Sequence, residues 1–259
     1  MTSSHQPFVD LHNHLIPAVD DGARTLAEAI ECLRSLSEDG VGTVVATPHL
    51  LLPQLASVTA VERELSRHRR AFDALRMLVE SEPGLPDLGL GQEIWASSAE
   101  LIAPVLGCDG LGLAGTPYLL VEFGFDLQGT HTDVIDQVLQ GGRKIVIAHA
   151  ERYRFPERLD PLETAAAWRE AGALLQVNTG SFTGYYRTAN PQAQVLAWDL
   201  LEANLVDLIA TDHHGSRRSR GSPREAYEAL AAADHAAQAE RLLSTTPAGL
   251  LAEAGARAK

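Results

Sequence analysis

The sequence predicts an α/β fold in which a parallel sheet closes into a barrel. Three observations support this prediction: short apolar runs alternate with longer amphipathic stretches, seven such units follow one another, and the chain has 259 residues. Strands that alternate with helices are typical of βαβ units and a parallel sheet. Seven repeats favour a barrel over an open sheet, and one barrel accounts for a chain of this length. We therefore expect a single domain over residues 1–259.

The first half of the chain contains four predicted strands and two predicted helices. The strands are the apolar runs Phe8–Leu11, Thr43–Ala46, Leu88–Gly91 and Tyr118–Val121. One helix begins after Thr25, because threonine followed three residues later by Glu28 is the pattern of a capping box, and it ends at Gly40. The second helix, Ser57–Glu80, is charged but carries apolar residues at helical spacing.

The second half contains three more strands, followed by a helical tail. The strands are Ile145–Ala148, Ala173–Val177 and Val206–Ala210. A helix precedes the sixth strand and begins at Asp160-Pro161, since proline is favoured at the first helical position. The alanine-rich tail, Pro223–Ala258, is predicted to be helical. We find no linker, repeat or low-complexity tract that would divide the chain.

Composition and charge exclude several classes of protein. The chain has 21 Lys and Arg against 34 Asp and Glu, a net charge of −13. This acidic balance disfavours nucleic acid and anionic membranes, whose affinity depends on basic residues. Two cysteines, Cys32 and Cys108, are too few for a disulfide scaffold. With neither a secretory signal nor an apolar run long enough to span a membrane, we expect a soluble, cytoplasmic protein.

Metal-ligating side chains follow six of the seven predicted strands. The carboxyl ends of parallel barrel strands lie on one face, so these side chains are expected to converge. In chain order they are His12 and His14, His49, Glu93, Glu122, His149, and Asp212 with His214. Such side chains are the usual ligands of divalent cations. The sequence therefore predicts a metal site, to which the sixth strand offers only Asn178.

The other histidines are interpreted differently. The chain has ten histidines and only two lysines, so the placement of each histidine matters. His5, His68, His131 and His235 fall in the termini, helices or a loop, and we predict that they lie at the surface. His213 is predicted to point away from the site.

Four motifs resemble, in order, those of the polymerase and histidinol phosphatase (PHP) superfamily. They are His12-x-His14 with Asp20-Asp21-Gly22, Thr47-Pro48-His49, His149, and Asp212-x-His214. Longer segments around His12, His49 and His149 are similar to the bacterial capsule-regulating tyrosine phosphatases of the CpsB/YwqE type, and Asn178-Thr179-Gly180-Ser181 also fits this subgroup. The resemblance extends from His12 to about Arg220.

The resemblance implies a distorted (β/α)7 TIM-like barrel that binds three divalent metals. Manganese is the expected metal, with iron, zinc, cobalt or magnesium as alternatives. Carried over position by position, the resemblance gives His12, His14, Glu93 and Asp212 as ligands of one metal. It gives His49, Glu122 and His149 to the second metal, with Glu93 as a bridge between the two. It gives Asp21 and His214 to the third. Arg152 matches a phosphate-binding arginine. A second such arginine is either Arg218 or Arg220, because the spacing fits both.

The implied reaction is hydrolysis of phosphotyrosine in a protein. Four ligand carboxylates would repel a phosphate, but three divalent cations reverse the sign of the pocket. The expected step is attack of a metal-bridging hydroxide on phosphorus. A phenolate with a pKa near ~10 leaves with little acid help, and the sequence identifies no general acid. The subgroup implies, as partner, the tyrosine-rich tail of a polysaccharide-export kinase.

Other interpretations of the same residues remain open. A PHP-type phosphatase of a small phosphomonoester, such as histidinol phosphate or a nucleotide, would share the metal site. A non-enzymatic metal-binding protein is a further alternative, and the arginines could be salt-bridge or loop residues. An amidohydrolase is disfavoured, because Lys144 precedes its strand and Lys259 is terminal.

Two phosphate-handling classes are excluded by spacing. A cysteine phosphatase needs arginine six positions after the nucleophile, where Cys32 has Glu38 and Cys108 has Ala114. The sequence also contains no Gly-x-x-x-x-Gly-Lys-Ser/Thr loop, which argues against an NTPase or kinase.

Overall fold

The chain has an α/β fold with parallel sheets, which confirms the predicted combination of helices with parallel strands. The computed structural model describes residues 6–218 and 221–254. All hydrogen-bonded strand pairs within these ranges are parallel. The strands are β1 (Phe8–Asp10), β2 (Val41–Ala46), β3 (His49–Leu51), β4 (Asp87–Leu90), β5 (Glu93–Trp95), β6 (Tyr118–Glu122), β7 (Lys144–Ile147), β8 (Leu174–Asn178) and β9 (Leu208–Ala210).

The strands form two sheets that meet at two backbone breaks. One sheet has the order β1-β2-β4 and the other the order β3-β5-β6-β7-β8-β9. The predicted second and third strands are each continued by a short strand, β3 and β5, that begins at a predicted ligand. Backbone hydrogen bonds cross the breaks, from Gly91 N to Ala46 O at 2.8 Å and from Glu93 N to Pro48 O at 3.1 Å. His49 and Glu93 are therefore neighbours in register.

The carboxyl ends of β1 and β9 also lie side by side. Asp212 N donates to His12 O at 2.8 Å, and His14 N donates to His213 O at 2.8 Å. The buried Asp10 carboxylate accepts hydrogen bonds from Thr211 N at 2.9 Å and Thr211 Oγ1 at 2.7 Å. These contacts bring the predicted ligands of the first and last strands together.

Helices pack around the sheets and follow most strands. They are α1 (Leu26–Glu38), α2 (Val58–Glu80), α3 (Ala99–Ile102), α4 (His131–Gln140), α5 (Pro161–Glu170), α6 (Thr179–Thr183), α7 (Pro191–Glu202), α8 (Pro223–Ala232), α9 (Ala236–Glu240) and α10 (Thr246–Ala252). Thr25, Ser57 and Asp160 accept hydrogen bonds from first-turn backbone N–H groups, as N-cap residues do. Among the described residues, no helix is both long and apolar enough to cross a bilayer.

Two predictions about helix ends are wrong in part. The capping box at Thr25 is only half formed, because the Glu28 carboxylate accepts from Arg24 N at 3.0 Å and Ser216 Oγ at 2.7 Å instead. The tail is not one helix, because α8 ends before Asp234, which has a left-handed φ of +65°. The part of the tail beyond residue 254 lies outside the described residues.

Two histidines predicted at the surface are buried. His68 lies on the apolar face of α2, where its Nδ1 donates to Gln92 Oε1 at 2.7 Å. His131 stacks on Phe123 with ring centroids 5.0 Å apart. The prediction failed because each histidine occupies a helix position that the packing turns inward. His235 is partly buried, and His5 lies outside the described residues.

Candidate metal centre

The predicted ligands meet at the carboxyl ends of the strands, around one cavity of about 610 Å³. Seven of them line the cavity, and the two histidines after β1 are fully buried. The seven are Asp21, His49, Glu93, Glu122, His149, Asp212 and His214. His213, left out of the predicted set, is buried beside the ligands, and its Nδ1 accepts a hydrogen bond from Gly215 N at 3.1 Å.

Glu93 is the centre of the cluster. Its carboxylate is 1% exposed, and four imidazoles surround it. Oε1 lies 3.2 Å from His12 Nε2 and 2.9 Å from His149 Nε2. Oε2 lies 3.3 Å from His14 Nε2 and 2.7 Å from His49 Nδ1. One carboxylate is therefore placed to bridge ligands contributed by three other strands.

Three overlapping groups of side chains have ligand atoms within 4.8 Å of one another. They are His12 with His14 and Glu93; His49 with Glu93 and Glu122; and His14, Asp21, His49 and His214. Asp212 Oδ1 lies 3.6 Å from His12 Nε2 and 3.5 Å from His14 Nε2, beside the first group. His149 Nε2 lies 3.6 Å from Glu122 Oε2, beside the second. Each group overlaps one of the ligand sets that the resemblance implies, although the third group also contains His14 and His49, which the resemblance gives to the other two sets.

Unpartnered buried atoms show that the residues fit a cation. Glu93 Oε2, His49 Nδ1 and His149 Nδ1 are buried without a hydrogen-bond partner among the described residues. The 2.7 Å approach of Glu93 Oε2 to His49 Nδ1 does not have hydrogen-bond geometry. Buried polar groups left unpaired are costly and are found where an ion or water completes the site. Imidazole and carboxylate donors match borderline divalent metals.

The electrostatics of the cluster keep its central carboxylates ionised. Burial alone would raise the pKa of Glu93, but the imidazoles of His12 and His49 hold it well below its ordinary value. Hydrogen bonds from His214 and His49 lower the pKa of Asp21. By contrast, burial and the charge of Glu93 raise the pKa of Glu122 to about 7. Carboxylates must be deprotonated to ligate a metal, so a cation would favour the ionised form of all three.

The imidazoles divide into two kinds. Burial disfavours the charged forms of His14 and His49, but neighbouring carboxylates, Asp20 for the first and Glu93 for the second, raise the pKa of each to about 9. Burial lowers the pKa of His149 to about 3, with a further contribution from the Arg152 cation. Burial also lowers the pKa of His214 to about 4. The carboxylates therefore favour the protonated forms of His14 and His49 at the centre of the cluster, and a divalent cation would displace these protons.

Side chains that are not ligands orient the ligands. His14 Nδ1 donates to Asp20 Oδ2 at 2.8 Å, which leaves its Nε2 facing Glu93. Gln176 Oε1 accepts from His12 Nδ1 at 2.9 Å and from His149 N at 2.8 Å. Asn178 Nδ2 donates to Asp212 Oδ2 at 2.9 Å. Such outer contacts fix ring tautomers and ligand orientation.

The orienting role of these residues was not predicted from the sequence. Asp20 appeared only as part of a motif, and the sixth strand was judged poor in ligands. The available signal was that Gln176 and Asn178 are two residues apart in an apolar strand, so they share one face. Buried amides on the site-facing side of a strand indicate hydrogen-bond partners there.

Backbone conformation also positions the ligands. His149 and Asp212 have left-handed φ values of +34° and +51°. Non-glycine residues rarely adopt this conformation, and it is often found at functional sites. At Gly22, a β-carbon would overlap the carbonyl oxygen of His14, so only glycine allows the Asp20-Asp21 turn to approach the site this closely.

The predicted phosphate-binding arginines are only partly placed. Arg152 lies in the cavity wall, and its Nη1 donates to Asp212 Oδ2 at 2.7 Å. Its guanidinium lies between the rings of Phe125 and Tyr186, 5.3 Å and 5.7 Å from their centroids. Arg218 also lines the cavity, and its Nη2 donates to Asp21 Oδ2 at 2.8 Å. Arg220 lies outside the described residues.

The Asn178–Ser181 motif is hydrogen-bonded to the carboxylate of Glu151. The buried Glu151 carboxylate accepts from Ser181 Oγ at 2.7 Å and from Asn178 N at 3.1 Å. This hydrogen bonding ties the turn after His149 to the segment after β8. The role of the motif is therefore to hold the turn after His149 in place, not to supply a ligand.

The fold and the cluster together define a class: parallel α/β proteins with a cluster of histidine and carboxylate side chains that could hold metal at the carboxyl ends of their strands. Within that class, the chain belongs to the CpsB/CapC family of capsular polysaccharide synthesis, whose model matches residues 8–252. It is 32% identical over 225 residues to tyrosine-protein phosphatase YwqE of Bacillus subtilis, covering 86% of this chain and 84% of YwqE.

Solved structures agree with this assignment. The chain matches one of the crystal structures of YwqE from Bacillus subtilis and CpsB from Streptococcus pneumoniae, described as unique metal-dependent tyrosine phosphatases. The TM-score is 0.76 at 29% identity, over 95% of this chain and 94% of the other. A phosphotriesterase homology protein from Escherichia coli shares the fold alone, with a TM-score of 0.51 at 13% identity over 96% and 99% of the two chains.

Proposed function

We propose that this chain is a metal-dependent protein-tyrosine phosphatase. The observation that carries the proposal is the Glu93 carboxylate, surrounded by four imidazoles at the floor of an open cavity that has Arg152 in its wall. Family membership and the named activity of YwqE support it. A phosphate that enters this cavity would meet metal ligands below and a guanidinium at the side.

We propose three divalent cations, with manganese as the native metal. The ligands would be His12, His14, Glu93 and Asp212; His49, Glu93, Glu122 and His149; and Asp21 with His214. When bound, the cations would supply Lewis-acid activation of water and charge neutralisation for the phosphate. The unpartnered Glu93 Oε2 and His49 Nδ1, which face each other inside the cluster, support this assignment.

Arginine side chains would bind and orient the phosphate. Arg152 is held between two aromatic rings and an Asp212 oxygen, so its guanidinium is fixed before substrate arrives. A guanidinium can donate two parallel hydrogen bonds to phosphate oxygens. Arg218 lines the same cavity and is hydrogen-bonded to Asp21, and Arg220 remains the other candidate. The phenolate leaving group needs little proton transfer because its pKa is about 10.

The wider setting of the reaction follows from the family. We propose that the substrate is the tyrosine-rich tail of a kinase of polysaccharide export, because the family is named for capsular polysaccharide synthesis. Two buried free cysteines, Cys32 and Cys108, are consistent with a cytoplasmic location. We further propose one distorted (β/α)7 barrel domain, supported by the hydrogen bonds between the ends of β1 and β9.

A panel of phosphorylated substrates tests the function. Manganese-loaded protein should hydrolyse a phosphotyrosine peptide with a higher kcat/KM than histidinol phosphate or a nucleotide. Glu93→Ala should lose at least about a thousandfold in kcat, as expected when a group that organises the metal site is removed. Glu31→Ala, an exposed position on α1, serves as the control. Preferred turnover of the small phosphomonoesters, or full activity of Glu93→Ala, would overturn the proposal.

A further inference from the structure

The cavity above the metal ligands changes from polar to apolar along the strands. His49 and Glu93 are in register, and so are Leu51 and Trp95, two residues further along β3 and β5. Residues two apart on a strand share a face, so Leu51 lies above His49 and Trp95 lies above Glu93. All four side chains line the same cavity. The strands therefore stack an apolar layer directly on the layer of ligands.

Phe125 completes this apolar layer from the next strand connection. Its side chain is 51% exposed at the cavity mouth, unlike most large apolar side chains of the chain. The preceding Gly124 has φ +81°, and a β-carbon there would lie 3.1 Å from Trp95 Nε1. Glycine thus allows the chain to turn tightly against the Trp95 indole and direct Phe125 over the opening.

We propose that Leu51, Trp95 and Phe125 form an aryl-binding wall that selects phosphate esters of phenols over those of alcohols. This inference rests on the proposed function, because it assumes that the phosphate is bound among the ligands. The ester substituent of such a phosphate must then project into the apolar layer. A phenyl ring gains from burial against these side chains and from ring–ring contact, whereas a hydroxyl-rich sugar or serine backbone gains little.

Phe125 also connects the wall to the phosphate-binding arginine. The Arg152 guanidinium lies 5.3 Å from the Phe125 ring centroid. A ring at the cavity mouth is therefore held by a cation that also faces the phosphate position. An aromatic substituent that packs against Phe125 would be recognised together with the phosphate, as one unit.

Binding of non-hydrolysable phosphonates tests the wall without a contribution from leaving-group chemistry. Calorimetry on the manganese-loaded protein compares phenylphosphonate, methylphosphonate and inorganic phosphate. The wild type should bind phenylphosphonate about tenfold or more tightly than methylphosphonate. Phe125→Ala should reduce this ratio about two- to tenfold, and Trp95→Leu should do the same. The affinity for inorganic phosphate should stay within about twofold in both variants.

Controls separate the wall from other effects. Phe125→Tyr should keep the wild-type ratio, and Met77→Ala, an exposed apolar residue on α2 outside the cavity lining, should leave it unchanged. An equal loss of affinity for all three ligands would show that Phe125 acts only through Arg152 and would overturn the inference. So would a wild-type ratio near one. Because binding is read without turnover, failure of the wall is distinguishable from failure of the phosphatase activity.

Discussion

Gln176 holds two ligand-bearing segments with a single oxygen atom. Its Oε1 accepts hydrogen bonds from the ring of His12 and from the backbone of His149, and its Nε2 donates to Asn178 Oδ1 at 2.7 Å. Gln176 is fully buried, so none of these contacts can be replaced by bulk water. The Nε2 atom of His12 faces Glu93 because its Nδ1 is already occupied.

Gln176→Leu should weaken manganese binding by about 10- to 100-fold, the usual cost of losing an outer-shell contact to a metal ligand. Calorimetric titration with Mn²⁺ measures this change, and circular dichroism of the metal-free protein checks the fold. Activity should return at high manganese concentration. Gln140→Leu, on the exposed end of α4, is the control. Unchanged manganese affinity in a folded Gln176→Leu protein would contradict the role assigned to this residue.

At the residue scale, the sequence predicted ligands better than their supports. His49, Glu93 and His149 each follow an apolar run, and the carboxyl ends of parallel strands must meet on one face. The sequence marks Gln176 only as a polar residue in an apolar strand, because its partner His12 is 164 positions away and only the sheet order brings them together. His68 was misjudged for the same reason, since only the packed helix shows which way it points.

The N-terminus of α1 is tied to the loop after β9 by one carboxylate. Glu28 accepts hydrogen bonds from the backbone of Arg24 and from both the backbone and hydroxyl of Ser216. Hydrogen bonds from Arg24 and then Ser216 lower the pKa of Glu28 to about 2, from an ordinary value of 4.5. Because Ser216 is two residues after His214, this contact also holds a predicted ligand loop.

The Glu28 contact should therefore contribute to stability in a defined pH range. A carboxylate whose pKa is lower in the folded state stabilises the fold above its unfolded pKa, and this contribution is lost as pH falls. Glu28→Gln should reduce the free energy of unfolding by about 1–2 kcal/mol at pH 7. The difference from wild type should shrink as pH falls from about 4.5 towards 2.

Urea unfolding of the metal-free protein at pH 7, 4 and 3 measures this difference. Removing the metal first avoids a second pH effect from release of cations. Glu31→Gln, on an exposed position of the same helix, should match wild type at every pH. A Glu28→Gln difference that stays constant across this range would rule out the ionic contribution.

Element types were predicted better than element ends. The seven apolar runs are all strands, because buried parallel strands show as continuous apolar segments. Two of them continue, after breaks at Pro48 and Gln92, as the short strands β3 and β5, and this continuation was not predicted. Each break is followed by a short strand whose first residue is a predicted ligand, so the breaks position the site residues. The prediction of one helix over the tail is wrong at Asp234, an exposed residue with a left-handed backbone that directly follows the C-cap of α8.

The molecule as a whole gathers part of its negative charge at one place. The chain carries a net charge of −13, and six of its acids line one cavity: Asp20, Asp21, Glu64, Glu93, Glu122 and Asp212. Like charges at close range destabilise the metal-free fold, and a cation that binds only the folded state stabilises it by mass action.

Chelation should therefore lower stability as well as activity. Manganese at about 100 times its dissociation constant adds about 2.7 kcal/mol for one site, or roughly 5–10 °C in Tm for a chain of this size. Differential scanning calorimetry with EDTA and then with excess Mn²⁺ checks this expectation, and activity should disappear and return in parallel. Glu93→Gln should show a much smaller shift. Equal Tm values with and without Mn²⁺ would contradict a metal-organised cavity.

Two predicted ligands, His149 and Asp212, have left-handed backbone conformations that glycine or asparagine would adopt at lower cost. A search for more stable variants that scores each position by backbone preference would select these two positions together with Ala18 and Ala114, which have φ values of +58° and +49°. Replacing His149 or Asp212 would remove a predicted ligand. Stabilising substitutions at the strand ends would therefore remove residues of the site. A more stable variant that keeps the site has to be sought at positions away from the strand ends.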